Sequence, residues 1–385
     1  MESTRYAGRD VRTGRSISVG VTGETISDVR SGKRAGPAPW IAPALLDIQL
    51  NGFGGYGFNE AETSPESVAR VVLSQWRAGI GAFLPTVTTH SQDRMLHSLR
   101  AITAACRDPG TRRSILGIHV EGPHISRLDG PRGAHPLEHV RLPSWDEFLR
   151  MQEAAEGGIL LVTLAPELEG AIPFIERLAE AGVVVAIGHT NASAHDLDTA
   201  IRAGARLSTH LGNGAHSLLP RHPNYIWEQL SRDRLDCSVI ADGHHLPASV
   251  LKCILRCKGL ERTILISDAV TPAGLPAGTY AAAGGAVDVA ANGRISLAGT
   301  PYLAGAGAHL GQGVSNLVRM GVASRRDALR MASLNPARLL ARDDRMGALE
   351  AGKLAHLIQF SWTEEGIRVH RTVLGGQVVF DDGAV

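Results

Sequence analysis

The sequence predicts an α/β protein: a (β/α)₈ TIM-like barrel with a small β-sandwich domain formed from both chain ends. Three observations support this fold class. Eight short apolar runs lie between residues 44 and 268, most segments between them have helical spacing, and both chain ends alternate Ile or Val with glycine-rich turns. Strands that alternate with helices indicate βαβ units and a parallel sheet.

The eight apolar runs have the length of short buried strands. In order they are ALLDIQL, AFLPTVTT, SILGIHV, ILLVTLA, VVVAIG, ARLSTH, CSVIAD and TILISD. Eight βαβ units predict a closed barrel, in which catalytic groups occupy the C-terminal ends of the strands. An open, doubly wound sheet is the alternative, because a single miscounted strand would change the assignment.

Several segments between the runs predict helices that begin at Ser or Pro and end at Gly. Examples are SPESVARVVLSQWRAG, PASVLKCILRCKG and AHDLDTAIRAG, the last of which follows a serine. Ser and Pro are favoured at the first positions of a helix, and Gly is favoured just after its end. The connections of the barrel are therefore predicted to be helical.

The two chain ends predict short antiparallel strands. RSISVGVTGETISDVR lies near the start, and AHLIQFSW and RVHRTVLGGQVVF lie near the finish. Neither end has enough apolar residues to form a core alone. We therefore expect residues 1–43 and 345–385 to combine into one small β domain, and residues 44–344 to form the barrel.

Composition excludes several classes of partner. The 385 residues include 39 basic and 38 acidic side chains, a formal net charge of +1, which gives no case for binding nucleic acid or a membrane surface. No run approaches the roughly 18 apolar residues of a membrane span, and MESTRYAGRDVRTGRS does not resemble a signal peptide. The four cysteines contain no CxxC pair. We expect a cytoplasmic protein.

Three strand ends supply residue types that bind metals. GIHVEGPHIS carries Glu121, VAIGHTNAS carries His189, and LSTHLGNGAHS carries His210. Because the C-terminal ends of barrel strands converge, these side chains can meet above the barrel axis. One carboxylate and two imidazoles form a catalytic zinc set that leaves a fourth position for water. A histidine alone is more often a solvated or core residue, but three such strand ends together favour a metal site.

Two further strands end in polar residues. TILISDA ends in Asp268, and an aspartate there is often only a helix cap. Beside a metal, however, a carboxylate can take a proton from water and pass it to a leaving group, as hydrolysis requires. In the first strand, LLDIQLNG, alternation predicts that Asp47, Gln49 and Asn51 share one face.

These motifs and others in the same order resemble the N-acetylglucosamine-6-phosphate deacetylases of the amidohydrolase superfamily along nearly the whole chain. The matching segments are LLDIQLNGFGG, LPTVTT, HVEGPHIS, TLAPE, GHTNAS, STHLGN, IADGHH, LISDAVTPAG, NPARLL and GALEAGKLAHL. The ordered set is specific, although each piece alone is weak.

The resemblance implies roles for individual residues. It implies a metal held by Glu121, His189 and His210, with Asp268 as the catalytic acid and base. Substrate contacts are implied for His135, Asn213, the backbone of Gly214, Arg221 and His245. Members of the family are commonly homodimers, and in some of them the arginine that contacts phosphate comes from the neighbouring subunit. We therefore expect a homodimer.

The first strand bears on the number of metal ions. Many amidohydrolases carry His-x-His there and bind a second metal, whereas this chain has Gln49 and Asn51. Neutral amides are poor zinc ligands compared with imidazole. We therefore expect one divalent ion, Zn²⁺ first, with Fe²⁺ or another divalent ion as alternatives.

The expected reaction is hydrolysis of N-acetylglucosamine 6-phosphate to glucosamine 6-phosphate and acetate. The loop LGNGAHSLLPRHPNYIWEQL departs from the usual family pattern of Asn-Ala and Arg-Glu-Pro-Gly at Gly214 and after Arg221. Arg221 could grip a phosphate or form only a surface or interface salt bridge. A non-phosphorylated N-acetyl sugar or aminocyclitol, a cyclic amide or N-acyl amino acid, and a non-catalytic barrel remain alternatives.

Overall fold

The computed structural model describes residues 3–34, 38–282 and 284–385. The strands are β1 (Ser3–Asp10), β2 (Arg15–Thr22), β3 (Thr25–Arg34), β4 (Trp40–Pro43), β5 (Leu45–Leu50), β6 (Gly52–Phe53), β7 (Tyr56–Gly57), β8 (Ile80–Thr88), β9 (Ile118–Glu121), β10 (Ile159–Leu164), β11 (Val184–Ile187), β12 (Ala205–Ser208), β13 (Asp236–Ile240), β14 (Thr263–Ile266), β15 (Gly278–Ala282), β16 (Gly285–Val289), β17 (Ile295–Leu297), β18 (Leu357–Trp362), β19 (Ile367–Leu374) and β20 (Gln377–Asp381).

The helices are α1 (Pro65–Arg77), α2 (Gln92–Ala105), α3 (Pro109–Ser114), α4 (Trp145–Ala154), α5 (Ala171–Glu180), α6 (Ala194–Ala203), α7 (Tyr225–Ser231), α8 (Ala248–Lys258), α9 (Leu310–Arg319), α10 (Arg325–Met331) and α11 (Leu334–Leu339). Two short 3₁₀ helices cover Leu137–His139 and Leu260–Arg262. Within the described ranges, none of these helices combines the length and apolar character needed to cross a membrane.

Eight parallel strands form the predicted barrel. Their order is β5, β8, β9, β10, β11, β12, β13 and β14, so each strand pairs with the one that follows it around the barrel. Each of the eight apolar runs overlaps one of these strands, and the predicted barrel is confirmed. An apolar cluster that includes Leu84, Leu161, Ala186 and Ile264 draws on strands all round the barrel and fills its interior.

The barrel closes between its first strand, β5, and its last, β14. The closure uses isolated hydrogen bonds: the Asp268 backbone N–H donates to the Gln49 carbonyl at 2.9 Å, and the Asn51 N–H donates to the Ala269 carbonyl at 2.8 Å. The Asp47 carboxylate adds to the seam, because its Oδ1 accepts from the Ser267 N–H at 3.2 Å. The seam therefore places Asp268 beside the polar end of the first strand.

Simple alternation along β5 is interrupted. The pairing of β5 with β8 shifts register between Asp47 and Leu50. Asp47 therefore bonds to the backbone of the seam, at Gln49 and Ser267, whereas the side chains of Gln49 and Asn51 reach Asp268. The predicted shared face holds for the two amides and not for Asp47.

Strands from both chain ends form one sheet in the order β20, β19, β18, β4, β1, β2 and β3. The two halves of this sheet enclose a small core, in which Val19 and Ile26 from the start of the chain join Leu357 and Val373 from its finish. The predicted small β domain built from both ends is thus present. Its exact limits, 1–43 and 345–385, stay a prediction.

A three-stranded antiparallel sheet, β15–β17, follows the last barrel strand. The sequence did not indicate it, because this segment is rich in Ala and Gly and has few large apolar residues. It lies near the site-bearing end of the barrel, where His244 Nε2 is 3.1 Å from the Asn292 carbonyl oxygen.

Candidate active site

The proposed metal ligands come from three barrel strands. Glu121 is the last residue of β9, and His189 and His210 each lie two residues beyond the ends of β11 and β12. All strands of a parallel barrel point their C-terminal ends to one rim. The side chains therefore meet there, although they are far apart in sequence.

The ligand atoms form a compact triangle. Glu121 Oε1 is 3.2 Å from His189 Nε2 and 3.0 Å from His210 Nε2, and the two Nε2 atoms are 3.1 Å apart. The three side chains are buried. They are the one group of three or more His, Cys, Asp or Glu residues in the described ranges that is arranged to hold an ion.

A divalent ion fits this arrangement. A tetrahedral zinc ion with bonds of about 2.0–2.1 Å has ligand atoms about 3.3 Å apart, close to the three distances observed. His189 also has the hydrogen bond expected of a ligand: its Nδ1 is 2.8 Å from the Pro131 carbonyl. Donation to that carbonyl fixes the tautomer and leaves the Nε2 lone pair facing the triangle.

The charges of the triangle support the same interpretation. Burial would raise the pKa of Glu121, but the neighbouring imidazoles of His189 and His210 outweigh it and hold that pKa well below its usual range. Burial would likewise lower the pKa of His210, and the bond to Glu121 raises it instead. A buried carboxylate between two imidazoles is a negative centre that a cation stabilises.

Two glycines make room for the His189 ring. A Cβ on Gly214 would lie 2.8 Å from His189 Nδ1, and Gly214 has a φ of +56°. A Cβ on Gly133 would lie 3.3 Å from the Cε1 of the same ring. The loops after β9 and β12 thus both pack against this ring, and backbone close approach requires glycine at these positions.

The site residues have an unusual backbone conformation. Five described residues other than glycine have positive φ, and three of them are His189 at 52°, His210 at 29° and Asp268 at 51°. Such conformations cost about 1–3 kcal/mol each and cluster at functional sites. Each strand end therefore turns sharply at the residue that carries the chemistry.

Asp268 lies beside the triangle and is held by two amides. Its Oδ1 accepts from Asn51 Nδ2 at 2.8 Å and lies 3.4 Å from Gln49 Nε2. Burial raises the pKa of Asp268 to about 6, and the negative charge of Glu121 acts in the same direction. A carboxyl group with this pKa can both accept and donate a proton near neutral pH.

The amides of the first strand act as hydrogen-bond donors. Gln49 Nε2 also donates to Glu121 Oε1 at 2.9 Å, so one amide touches both the carboxylate of the triangle and the neighbouring Asp268. Asn51 and Gln49 thus occupy the face that His-x-His occupies in many amidohydrolases. The two amides orient the carboxylates of Glu121 and Asp268 there, which accounts for the polar residues in this strand.

The structure brings several proposed substrate contacts to the same rim. The His135 ring lies 4.4 Å from the His189 ring, centroid to centroid, and burial lowers the pKa of His135 to about 3, so it is neutral. Its Nδ1 is 2.7 Å from the Thr89 hydroxyl. Asn213 is tied to the turn after β12, where its Nδ2 donates to the His210 carbonyl at 3.1 Å.

His245 and Arg221 differ in how they are held. His245 Nδ1 is 2.8 Å from Asp242 Oδ2, with both side chains buried. Arg221 is exposed, and it forms no hydrogen bond or ion pair with the described residues. The structure does not bring Arg221 into contact with the other site residues.

Sequence reasoning missed the polar layer beneath the triangle. His119 Nε2 is 2.8 Å from the Thr163 hydroxyl, which is 2.8 Å from the Thr209 hydroxyl. Burial lowers the pKa of His119 to about 4, so this histidine is neutral. The sequence places His119 on the same strand face as Glu121, because alternate residues of a strand share a face, but it assigned no role to His119.

The family model described as the amidohydrolase family matches residues 40–379. The chain belongs to the amidohydrolase family. The N-acetylgalactosamine-6-phosphate deacetylase of Escherichia coli O157:H7 is 31% identical over 342 residues, covering 89% of this chain and 88% of the relative. The N-acetylglucosamine-6-phosphate deacetylase of Bacillus subtilis is 31% identical over 343 residues, covering 88% and 84%.

Solved structures show the same architecture as this amidohydrolase. A Mycobacterium smegmatis N-acetyl-D-glucosamine-6-phosphate deacetylase mutant in complex with N-acetyl-D-glucosamine-6-phosphate superposes with a TM-score of 0.87 at 29% identity, covering 98% of this chain and 100% of that chain. The N-acetylglucosamine-6-phosphate deacetylase of Thermotoga maritima gives a TM-score of 0.84 at 26% identity, with 95% coverage of both chains. The resemblance drawn from the sequence motifs is confirmed.

Proposed function

We propose that this amidohydrolase removes the acetyl group of an N-acetylated amino sugar, N-acetylglucosamine 6-phosphate first among the candidates. The products are glucosamine 6-phosphate and acetate. The observation that carries the proposal is the placement of Asp268 beside the buried triangle of Glu121, His189 and His210. The names of the deacetylases to which the chain is similar agree with it.

Glu121, His189 and His210 would hold one divalent ion, which we propose is Zn²⁺, with Fe²⁺ or another divalent ion as alternatives. When bound, such an ion polarises an amide carbonyl and makes water acidic enough to react near neutral pH. The chemistry of the donor set favours zinc, because imidazole and carboxylate are both common zinc ligands. The amides of Gln49 and Asn51 support a single ion, since both are engaged as hydrogen-bond donors.

Asp268 would move the proton. As a carboxylate it accepts a proton from the attacking water, and as a carboxylic acid it donates that proton to the departing amine nitrogen. The C–N bond breaks as the new C–O bond of acetate remains, so one water is consumed for each amide. Asn51 holds the carboxylate in place throughout, because its Nδ2 donates to Oδ1 at 2.8 Å.

His135 would stabilise the negative charge that develops on the acetyl oxygen. It is neutral, and its Nδ1 faces the Thr89 hydroxyl at 2.7 Å. If Thr89 donates to Nδ1, the proton of the imidazole lies on Nε2, where it can be donated to the oxygen. Asn213, the backbone of Gly214 and His245 would contact the sugar.

Arg221 would bind the 6-phosphate from across a dimer interface. Its exposed position supports a partner outside its own chain, and two exposed apolar residues, Leu218 at 89% and Trp227 at 56%, lie close to it in sequence. Apolar side chains exposed together often mark an interface. We therefore propose a homodimer. Replacing Leu218 by Asp should then yield monomers in sedimentation experiments, and an unchanged sedimentation coefficient would contradict the interface.

The exposed Arg221 also keeps a second candidate open. Without a partner copy, the described residues place no arginine of the substrate loop against the site, and a non-phosphorylated N-acetyl sugar or aminocyclitol would then be the substrate. A cyclic amide or an N-acyl amino acid is the remaining alternative.

The four cysteines are all free thiols, which supports a reducing, cytoplasmic location.

A substrate panel tests the proposal directly. Metal-analysed protein is incubated with N-acetylglucosamine 6-phosphate, N-acetylgalactosamine 6-phosphate, and both sugars without phosphate, and released acetate is measured. Asp268→Asn should lower kcat by about 10²–10⁴ with metal content unchanged. Arg221→Ala should raise KM only for phosphorylated sugars, whereas Arg206→Ala, an exposed arginine on β12, should not. Full activity of Asp268→Asn would refute the mechanism.

A further inference from the structure

We propose that Glu167 is a positioning residue that sets the affinity of the site for its divalent ion by holding the turn after His189. Glu167 lies three residues beyond β10, on the strand that neighbours β11. Among the described residues, its side chain forms hydrogen bonds to Thr190 and Asn191 and not to the three ligand side chains. The inference rests on the proposed metal site and deepens it.

The two oxygens of Glu167 bind the two residues that follow the ligand. Its Oε2 accepts from the Thr190 hydroxyl at 2.5 Å, and its Oε1 accepts from the Asn191 backbone N–H at 2.6 Å. Thr190 continues the network, because its hydroxyl accepts from the Ala192 N–H at 2.9 Å. The carboxylate therefore clamps the loop after β11 to the loop after β10.

His189 needs such a clamp because its backbone is strained. Its φ of 52° lies in the left-handed region, which a residue with a Cβ adopts only where its surroundings enforce it. The Ser126 N–H donates a hydrogen bond to the His189 carbonyl at 2.9 Å, and the Pro131 carbonyl orients the His189 ring. Glu167 secures the remaining side, the chain leaving the turn.

A carboxylate is required because the loop presents two donors at once. The Thr190 hydroxyl and the Asn191 N–H each need an acceptor, and a glutamate supplies two. A glutamine supplies one oxygen and places its NH₂ group against the second donor. Loss of groups that orient a ligand typically weakens metal binding 10–100-fold, so Glu167→Gln should have an effect of that size.

The test measures zinc affinity of the full-length protein by competition with a chromophoric chelator. Glu167→Gln should bind zinc 10–100-fold more weakly than the wild type. Thr190→Val, which keeps the shape of the side chain and removes its hydroxyl, should weaken binding about fivefold. The double variant should be no weaker than Glu167→Gln alone, since both changes break the same clamp. At saturating zinc, KM should match that of the wild type.

Asp196 offers a matched control. Its Oδ2 also accepts from one backbone N–H and one hydroxyl, those of Ser193, at 2.8 and 2.7 Å. Asp196→Asn therefore breaks the same kinds of bond a few residues further along, in the first turn of α6, and Asp196 forms no hydrogen bond with His189, Thr190 or Asn191. It should leave zinc affinity within about twofold of the wild type, and thermal unfolding of all variants shows whether each is folded.

The outcomes separate this inference from the proposed function. If Glu167→Gln and Thr190→Val bind zinc as tightly as the wild type, or if Asp196→Asn loses as much affinity as Glu167→Gln, Glu167 has no specific positioning role. If the wild-type protein itself binds no zinc and retains activity, the proposed metal site fails instead.

Discussion

Replacing Asn51 by leucine should shift the pH dependence of the enzyme to higher pH. Asn51 Nδ2 donates to Asp268 Oδ1 at 2.8 Å, and this bond stabilises the ionised carboxylate. A hydrogen bond to a charged group contributes about 1.5–3 kcal/mol, and one pKa unit corresponds to about 1.36 kcal/mol. Removing the donor should therefore raise the pKa of Asp268 by about 1–2 units, and leucine excludes the water that could replace the amide.

The sign of the shift follows from the role of Asp268. As a base it must be ionised, so the rate falls as the pH drops through its pKa, and a higher pKa moves this acid limb to higher pH. Burial already raises the pKa to about 6. A bound cation lowers the absolute value in both proteins, so the difference between variant and wild type is the quantity to compare.

The assay is acetate release as kcat/KM across the pH range, with metal content measured for each protein. Asn59→Leu is a matched control: Asn59 is equally buried and its Nδ2 donates at 2.9 Å to a backbone carbonyl, that of Thr86. It should lower stability and leave the acid limb in place. A metal-loaded, active Asn51→Leu enzyme whose acid limb matches that of the wild type would refute the role given to this hydrogen bond.

Three further predictions concern stability and the metal. Burial raises the pKa of Asp47 to about 7, so the stability of the folded state falls as the pH rises from about 4 through 7. Asp47→Asn should therefore raise the free energy of unfolding at pH 8 by at least about 1 kcal/mol and have a smaller effect at pH 5. Urea unfolding at both pH values measures this difference. Lys258 Nζ donates to the carbonyls of Gln229, Arg232 and Leu235 at 2.6, 2.8 and 3.0 Å. Lys258→Met should lower the free energy of unfolding by about 3 kcal/mol, about 1 for each acceptor. An unchanged urea midpoint would contradict this prediction. Dialysis against a chelator should abolish acetate release and lower the melting temperature, and added zinc should restore both; activity that survives complete metal removal would rule out the proposed chemistry.

The sequence predicted those parts of the site that follow from strand topology. Glu121, His189, His210 and Asp268 stand at or just beyond strand ends, and a parallel barrel gathers such ends at one rim whatever the loops do. The pattern of strands was therefore sufficient to predict that four residues from distant parts of the chain lie close together. The same reasoning predicted the small β domain, because neither chain end could form a core alone.

Contacts made by loops could not be predicted in this way. The Pro131 carbonyl orients His189, and Glu167 binds the residues after it, yet nothing in the local sequence indicates which backbone atoms will face each other. The register shift in β5 turned Asp47 towards the seam, because pairing with two neighbours overrode simple alternation. The exposed position of Arg221 could not be predicted either, because this residue lies in a loop whose conformation no periodic pattern specifies.

The sheet shared by the two chain ends has a consequence for biosynthesis. β4 hydrogen-bonds to β18, with Pro43 opposite Leu357, roughly 300 residues further along the chain. At about 5–20 residues per second, β4 leaves the ribosome some 15–60 s before its partner. During that interval its backbone edge is open to pairing with other chains. A chaperone that covers this edge should therefore improve the soluble yield, whereas slower synthesis, which lengthens the interval, should lower it.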